Sequence, residues 1–260
     1  MKKTVLLTLL LLAFISAGLS SQSLKGMSLN GATGLISIPS GRIGWEHSAD
    51  FGFDLGYHAI FTDNDDATHI PKASISLFKT LEVSFAYDTQ YDSDESDMIF
   101  TGKFQLPVQR ASAIAVGGNI QQLEDNGTSR DLTQVYIAAT YPGDFFTMPA
   151  ETTFVVGKSF GDGAVDDNID FGMGFDLLLL PKVFKGYVHW INDFANFSYS
   201  ADAIGADANW RGVFNTGMRI DMGSADLFKG FKFVIDAIVT DALDASRAFS
   251  LGFTFGAALK

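Results

Sequence analysis

Along residues 249–259 the side chains alternate without a break. Phe249, Leu251, Phe253, Phe255, Ala257 and Leu259 take one set of positions, and Ser250, Gly252, Thr254, Gly256 and Ala258 take the other. Successive side chains of a strand point to opposite faces, so this period of two predicts a β-strand with one bulky apolar face and one small or polar face. The pattern recurs upstream. Phe51, Phe53, Leu55 and Tyr57 oppose Asp50, Gly52, Asp54, Gly56 and His58. Leu81, Val83, Phe85 and Tyr87 oppose Glu82, Ser84, Ala86 and Asp88. Ile169, Phe171, Met173, Phe175 and Leu177 oppose Asp170, Gly172, Gly174 and Asp176. Trp210, Phe214, Met218 and Ile220 share a face opposite Arg211, Asn215, Arg219 and Asp221, and Phe231, Phe233, Ile235, Ala237 and Val239 oppose Lys232, Asp236 and Thr240. Weaker alternation predicts further strands at 70–78, 98–106, 113–121, 133–141, 153–160 and 184–191.

The expectation is therefore twelve strands, within a range of ten to fourteen, each of about 8–12 residues, the length a tilted membrane strand requires. The links between them fall into two classes. After odd strands come acidic segments at 63–66, 92–97, 124–127, 161–168, 193–208 and 241–246. After even strands come shorter or less acidic links at 79–80, 107–110, 142–150, 181–182 and 223–230. Up-and-down strands deliver alternate links to opposite ends, which gathers the acidic loops at one rim. Outer-membrane barrels carry their longer loops outside, so the acidic rim is assigned to the exterior and both termini to the periplasm.

A soluble sandwich or lipocalin-like cup is the competing architecture. It would expose a face rich in Lys, Glu, Gln and Thr, whereas the non-apolar face here is mostly Gly, Ala and Ser with scattered charges. That composition suits a narrow barrel interior, and the large aromatics of the other face need no partner layer if they meet lipid. Closure also satisfies every backbone polar group, which hydrocarbon cannot do. The predicted fold class is thus an all-β, transmembrane, antiparallel up-and-down β-barrel. Trp45, Tyr57, Tyr87, Tyr141, Trp190 and Trp210 are candidates for interfacial girdles.

Composition adds to this picture. Glycine (26) and phenylalanine (24) are abundant and proline (6) is scarce, which fits sheet better than helix, and with no cysteine there is no disulfide or thiolate site. Lys2 and Lys3 precede a leucine-rich run and then small residues, so residues 1–21 read as a signal peptide removed on export. Beyond it no apolar stretch is long enough for a spanning helix. The formal charge of -12 becomes -14 on losing those two lysines. An acidic chain repels phosphate backbones, so nucleic acid is excluded as a partner.

The inward ionisable residues of such a barrel are Asp50, Asp54, His58, Lys72, Glu82, Asp88, Lys103, Asp170, Asp176, Arg211, Arg219, Asp221, Lys232 and Asp236. They describe either a structural network of paired charges or the lining of a water-filled pore. The acidic loops offer oxygen ligands for divalent cations, but without the spacing of a helix–loop–helix calcium site, and a solvated acidic rim that enriches cations is the simpler reading. No HExxH, GxSxG or phosphate-loop motif appears, so the expectation is of no enzyme, no catalytic residue, no cofactor and no metal.

Residues 31–43 read GATGLISIPSGRI and are followed by Gly56-Tyr57-His58. Thr33, Gly34, Leu35, Ile36, Pro39, Ser40 and Arg42 resemble the start of YjbH-type outer-membrane proteins, which are associated with exopolysaccharide production; Gly41 stands where their pattern has alanine. Those proteins are much longer, so this chain resembles a single short barrel module. The resemblance implies an outer-membrane barrel linked to polysaccharide export and carries no catalytic residue with it. Residues 22–46 are then an N-terminal segment, either an edge strand or a plug in the lumen, and residues 47–260 the barrel. The expected function is a small passive or export-associated channel with a cation-favouring rim. A plugged barrel serving a structural or adhesive role at the cell surface is the alternative, and a soluble periplasmic β-protein the third reading. The expected partners are outer-membrane lipid and the barrel-insertion machinery, with ions, small solutes or polysaccharide as candidate cargo.

Overall fold

The computed structural model describes residues 26–46, 49–61, 67–90, 96–108, 112–125, 128–161, 168–196, 212–224, 231–244 and 247–259. The signal-peptide assignment, Arg211, Trp210 and most of the acidic loop residues lie outside them. The described strands are β1 (Phe51–Phe61), β2 (Ala67–Leu77), β3 (Leu81–Gln90), β4 (Ser96–Leu106), β5 (Ala113–Asp125), β6 (Thr128–Phe145), β7 (Met148–Phe160), β8 (Asp170–Leu178), β9 (Val188–Ala195), β10 (Val213–Asp221), β11 (Phe231–Thr240) and β12 (Ala248–Leu259). Each pairs antiparallel with its neighbours in sequence, and β1 pairs with β12 from Phe51↔Leu259 to Phe61↔Phe249, which closes the barrel. The twelve strands and the up-and-down order agree with the alternation in the sequence.

The outer face is apolar from strand to strand. Phe53, Val83, Phe100, Ile120, Ile137, Phe154, Phe171, Met173 and Phe253 are among its exposed side chains. So large a continuous apolar surface is stable only against another apolar phase. No described helix is long and apolar enough to cross a membrane.

Several boundaries differ from the sequence reading, β5 running on to Asp125 and β6 starting at Thr128 among them, and three of them move elements of the short-link rim or the wall. The link expected at 142–150 is instead a tight turn, because β6 continues to Phe145 and β7 begins at Met148. The strand expected from 184 begins at Val188, since Pro181–Phe184 forms a single helical turn held between Leu180 and Lys185 in left-handed backbone. β9 also runs on to Ala195, carrying Asp193 out of the expected acidic loop and into the wall.

Turns at the short-link rim are strained. Phe78 and Lys79 (φ 53° and 61°) and Phe146 and Thr147 (φ 47° and 74°) have positive φ in pairs. Their handedness matches the twist of the flanking strands, but Asn-Gly is the residue pair that adopts it cheaply.

Inside, small residues let bulky neighbours approach. A Cβ at Gly252 would lie 2.5 Å from three atoms of the His58 ring, and His58 is itself fully buried. Gly252→Leu is therefore expected to abolish the folded, faster-migrating band on unheated detergent gels, while the outward Phe253→Leu retains it.

Candidate functional site: a lumen occupied by the N-terminal segment

Residues 26–46 are buried throughout and lie within the ring of strands. They form no ladder. Two isolated bridges, Met27↔Thr33 and Gly34↔Pro39, fold the segment back on itself, helped by amide bonds from Leu29 to the Ile36 carbonyl (2.8 Å) and from Ser40 to the Thr33 carbonyl (3.0 Å). An edge-strand position does not exist, because β1 is paired on both sides.

A buried segment without a ladder leaves backbone N–H and C=O groups in need of partners. Charged side chains of the wall supply them. Lys103 Nζ donates to the Thr33 carbonyl (2.9 Å) and pairs with Glu82 (3.1 Å). Glu82 accepts from the Thr33 amide (2.7 Å), the Thr33 hydroxyl (2.6 Å) and the Gly44 amide (3.0 Å). Lys232 Nζ donates to Asp54 (2.9 Å) and to the Gly44 carbonyl (3.2 Å), and sits 4.9 Å from the centre of the Trp45 ring. Arg219 grips Asp236 through Nε (2.8 Å) and Nη2 (3.0 Å) and donates to the Gly34 and Leu35 carbonyls (2.9 and 3.2 Å). Lys72 donates to the Ser28 carbonyl (2.6 Å).

Asp193 on β9 is bound differently. Its Oδ2 accepts the amides of Ile36 (2.9 Å), Ser37 (2.7 Å) and Ile38 (3.2 Å); its Oδ1 accepts the Ser37 hydroxyl (3.1 Å) and Asn215 Nδ2 (2.8 Å). One carboxylate thus ties down the turn of the segment nearest the acidic-loop rim. At the other end Arg42 joins Glu151 on β7 (2.6 Å) and Glu46 (3.0 Å), while the Gly41 amide donates to Thr140 (3.0 Å).

The charged layer occupies the half of the lumen toward the short turns. Toward the acidic loops an apolar cluster lies among buried polar side chains such as Asp88, Gln121, Gln134 and Asp193. There Leu29, Leu35, Ile36 and Ile38 of the segment pack with Ile60, Ile70, Ile99, Ile191 and Ile238 of the wall. The interior is therefore not the uniformly small and polar space that the alternation implied.

Of the inward candidates, Asp54, His58, Lys72, Glu82, Asp88, Lys103, Asp176, Arg219, Asp221, Lys232 and Asp236 are buried. His58 Nε2 lies 3.5 Å from Asp236, and His189 Nδ1 lies 2.6 Å from Asp176. Asp170 is half-buried near the loop rim, accepting from Ser159 (2.6 Å) and Gln134 (3.2 Å). Asp50 does not belong to the set. It precedes β1, its side chain is 81% exposed, and it meets Lys79 at 3.4 Å on the short-turn rim. Trp45 is not a girdle residue, because it lies inside and donates to Asp54 (3.1 Å). Asp193, Glu151 and Thr140 were not among the candidates. Asp193 sits in a stretch that read as acidic loop, Glu151 falls between the link at 142–150 and the strand expected at 153–160, and Thr140 carries no charge to mark it. Among the described residues no group of three His, Asp or Glu is placed to hold a metal ion.

No family model matches the chain, and no curated protein does. Solved structures share its fold. The KdgM porin matches with a TM-score of 0.50 at 7% identity, over 80% of this chain and 99% of that one. The outer membrane protein Omp33 of Acinetobacter baumannii matches at 0.48 and 10% identity, over 82% and 100%. The translocator domain of the autotransporter NalP from Neisseria meningitidis matches at 0.41 and 7% identity, over 83% and 91%. At such identities a likeness shows architecture alone, and the match to KdgM together with the closed ring of twelve strands gives the fold of an outer-membrane β-barrel.

Arg219→Met removes a buried cation and leaves the Asp236 carboxylate and two segment carbonyls without it. The expected loss is about 3–5 kcal/mol of unfolding free energy, read by denaturant titration in detergent, with Arg219→Met/Asp236→Leu losing less than Arg219→Met alone.

Proposed function

We propose that this protein is an outer-membrane channel held closed by its own N-terminal segment, with its acidic rim outside, both termini in the periplasm, and cations favoured over anions when the segment moves. One observation carries the reading: residues 26–46 fill the lumen through hydrogen bonds made largely to their backbone by wall side chains. A segment held by its main chain can leave as a unit without the wall being rebuilt.

The ionic preference is supported by the wall as well as the rim. Lys72, Lys103, Arg219 and Lys232 are outnumbered by Asp54, Glu82, Asp88, Glu151, Asp176, Asp193, Asp221 and Asp236 among the buried ionisable side chains of the strands. With the segment displaced, this surplus of carboxylates attracts cations into the lumen. Small solutes are candidate cargo of such a channel, and polysaccharide is a candidate through the resemblance at residues 31–43.

The competing reading is a permanently closed barrel that presents its acidic loops as a surface. The apolar layer around Ile60, Ile99 and Ile238 favours it, since packed aliphatic side chains resist water entry.

Planar-bilayer recording separates the two. The wild-type protein is expected to be silent at low voltage. Asp193→Ala, which frees three segment amides, is expected to show discrete steps with a reversal potential of cation-preferring sign. Joining Ser37→Cys to Asn215→Cys, whose native side chains touch at 3.2 Å, by a disulfide or short dithiol linker should silence those steps until the link is cut; the chain's lack of cysteine makes that test specific. Steady wild-type conductance would refute the closed state. A folded but silent Asp193→Ala protein would favour the permanently closed barrel.

A further inference from the structure

Ladder register sets six uncharged side chains of the inner wall in one row. Ser74 of β2 pairs with Ser84 of β3, Ser84 with Thr101 of β4, Thr101 with Asn119 of β5, Asn119 with Gln134 of β6, and Gln134 with Ser159 of β7. Asp54 of β1 pairs with Ser74 at one end of the row, and Asp170 of β8 accepts from Ser159 and Gln134 at the other. The inter-strand steps, each about 4.8 Å, make the row about 24 Å long. The row also climbs. Ser74 lies three residues from the short-turn end of β2, and Ser159 one residue from the loop end of β7. Tilted strands turn a row along the ladder into a ramp through the lumen.

The closed barrel makes little use of this row. The hydroxyls of Ser74, Ser84 and Thr101 and the Asn119 oxygen Oδ1 are shut off from solvent and meet no partner among the described residues. Gln121, two places beyond Asn119 on the same inner face, is in that condition at both amide atoms. Elsewhere neutral wall side chains serve the segment: Thr140 accepts from the Gly41 amide, and Asn215 Nδ2 donates to Ser37. The segment nevertheless lies against the row. On β3, Glu82 on one side of Ser84 binds Thr33, and Ala86 on the other stands 3.5 Å from where a Cβ of Gly31 would lie. A buried hydroxyl without a partner destabilises the state that buries it. Such groups aligned across four neighbouring strands mark a surface suited to a different occupant.

The chemistry of the row describes that occupant. Its hydroxyl and amide groups both donate and accept, and it carries no charge between Asp54 and Asp170. The next row toward the acidic loops is largely apolar, with Ala86, Ile99 and Leu132 in register around Gln121. A ligand with hydroxyls along one edge and C–H groups along the other matches both rows. We infer that, in the barrel vacated by its segment, this ramp is a binding track for a neutral, hydroxyl-rich solute, a polyol or a short saccharide chain. The inference rests on the channel reading of the barrel and adds the class of solute and the wall that receives it.

The test has two arms. In detergent, the closed protein carrying Ser84→Ala/Thr101→Val is expected to unfold at a higher denaturant concentration than wild type, because two unmet hydroxyls are gone. Ser250→Ala on β12 removes another such hydroxyl outside the row and is expected to act the same way. In planar bilayers, the Asp193→Ala channel is expected to show maltohexaose blockades that outlast those of polyethylene glycol of similar mass, which has no hydroxyls along its chain. Adding Ser84→Ala/Thr101→Val should shorten the maltohexaose dwell about tenfold, with no such change for polyethylene glycol, and adding Ser250→Ala should leave the maltohexaose dwell as it was. A lower unfolding midpoint for Ser84→Ala/Thr101→Val would mean that the hydroxyls have partners in the closed barrel. An unchanged maltohexaose dwell in the same variant would mean that they bind no solute. Either result overturns the track while the channel reading stands. An Asp193→Ala protein without conductance steps overturns the channel reading and the track with it.

Discussion

A charge and a backbone that are both cut off from water must find each other, and this structure is organised around that obligation. The segment 26–46 has its peptide groups buried with no ladder to receive them. The wall has Lys72, Lys103, Arg219, Lys232, Glu82 and Asp193 buried with no solvent to receive them. Each need satisfies the other, as in the contacts of Lys103 with Thr33, Glu82 with Gly44, and Asp193 with residues 36–38. Unpaired, either set would be costly. Paired, they fix the position of the segment within the barrel more firmly than apolar contact alone, since hydrogen bonds are directional.

The division of the lumen follows from the same constraint. Where the segment lies against β1, β3, β4, β10 and β11 near the short turns, its carbonyls and amides face ionic side chains. Where Leu35, Ile36 and Ile38 present their own side chains outward, the wall answers with Ile191, Ile238 and Ile60. Glycines in β8 give the room this needs: a Cβ at Gly172 would crowd Ile38, and one at Gly174 would crowd Leu35. The same small residues that made the inner face legible as an interior are the seats for the segment's aliphatic side chains.

The barrel was legible because a period of two is a direct consequence of strand geometry and survives any lipid or lumen chemistry. The facing of the side chains was legible for the same reason, and the buried charges of β1, β3, β10 and β11 fall on the inner face that the alternation assigned. Asp193 was not legible, since an Asn-Asp pair after Trp190-Ile191 has the composition of a loop; its pairing with Gly174 on β8 and with Asn215 on β10 shows that the strand continues. Glu151 was obscured in the same way by the proline at 149, although β7 already pairs with β6 from Met148. Asp50 follows the inward parity yet lies before the first paired residue, where parity no longer dictates direction. For residues 31–43 the sequence allowed both an edge strand and a plug, because a short apolar run ending at proline fits either. What decides it is closure between β1 and β12, a contact between the two ends of the barrel that no local pattern encodes.

The distribution of partners also bears on how firmly the segment is held. Lys103 with Glu82, Lys232 with Asp54, and Arg219 with Asp236 are ion pairs within the wall. They persist if the segment leaves, and Arg42 and Glu46 leave as a pair of opposite sign. Water entering the lumen can replace the backbone groups these side chains lose, so most of the ionic network favours the occupied and the vacated barrel to a similar degree. Two carboxylates are exceptions: Glu151 of β7 loses Arg42 when the segment leaves, and Asp193 has, among the described residues, neutral N–H and O–H donors as partners, four of the five from the segment. Their hydrogen bonds and the aliphatic contacts of Leu35, Ile36 and Ile38 beside Asp193 are the interactions that distinguish the two states most. Closure is thereby concentrated at two carboxylates of the wall, Asp193 of β9 and Glu151 of β7, rather than spread over the charged layer within the wall.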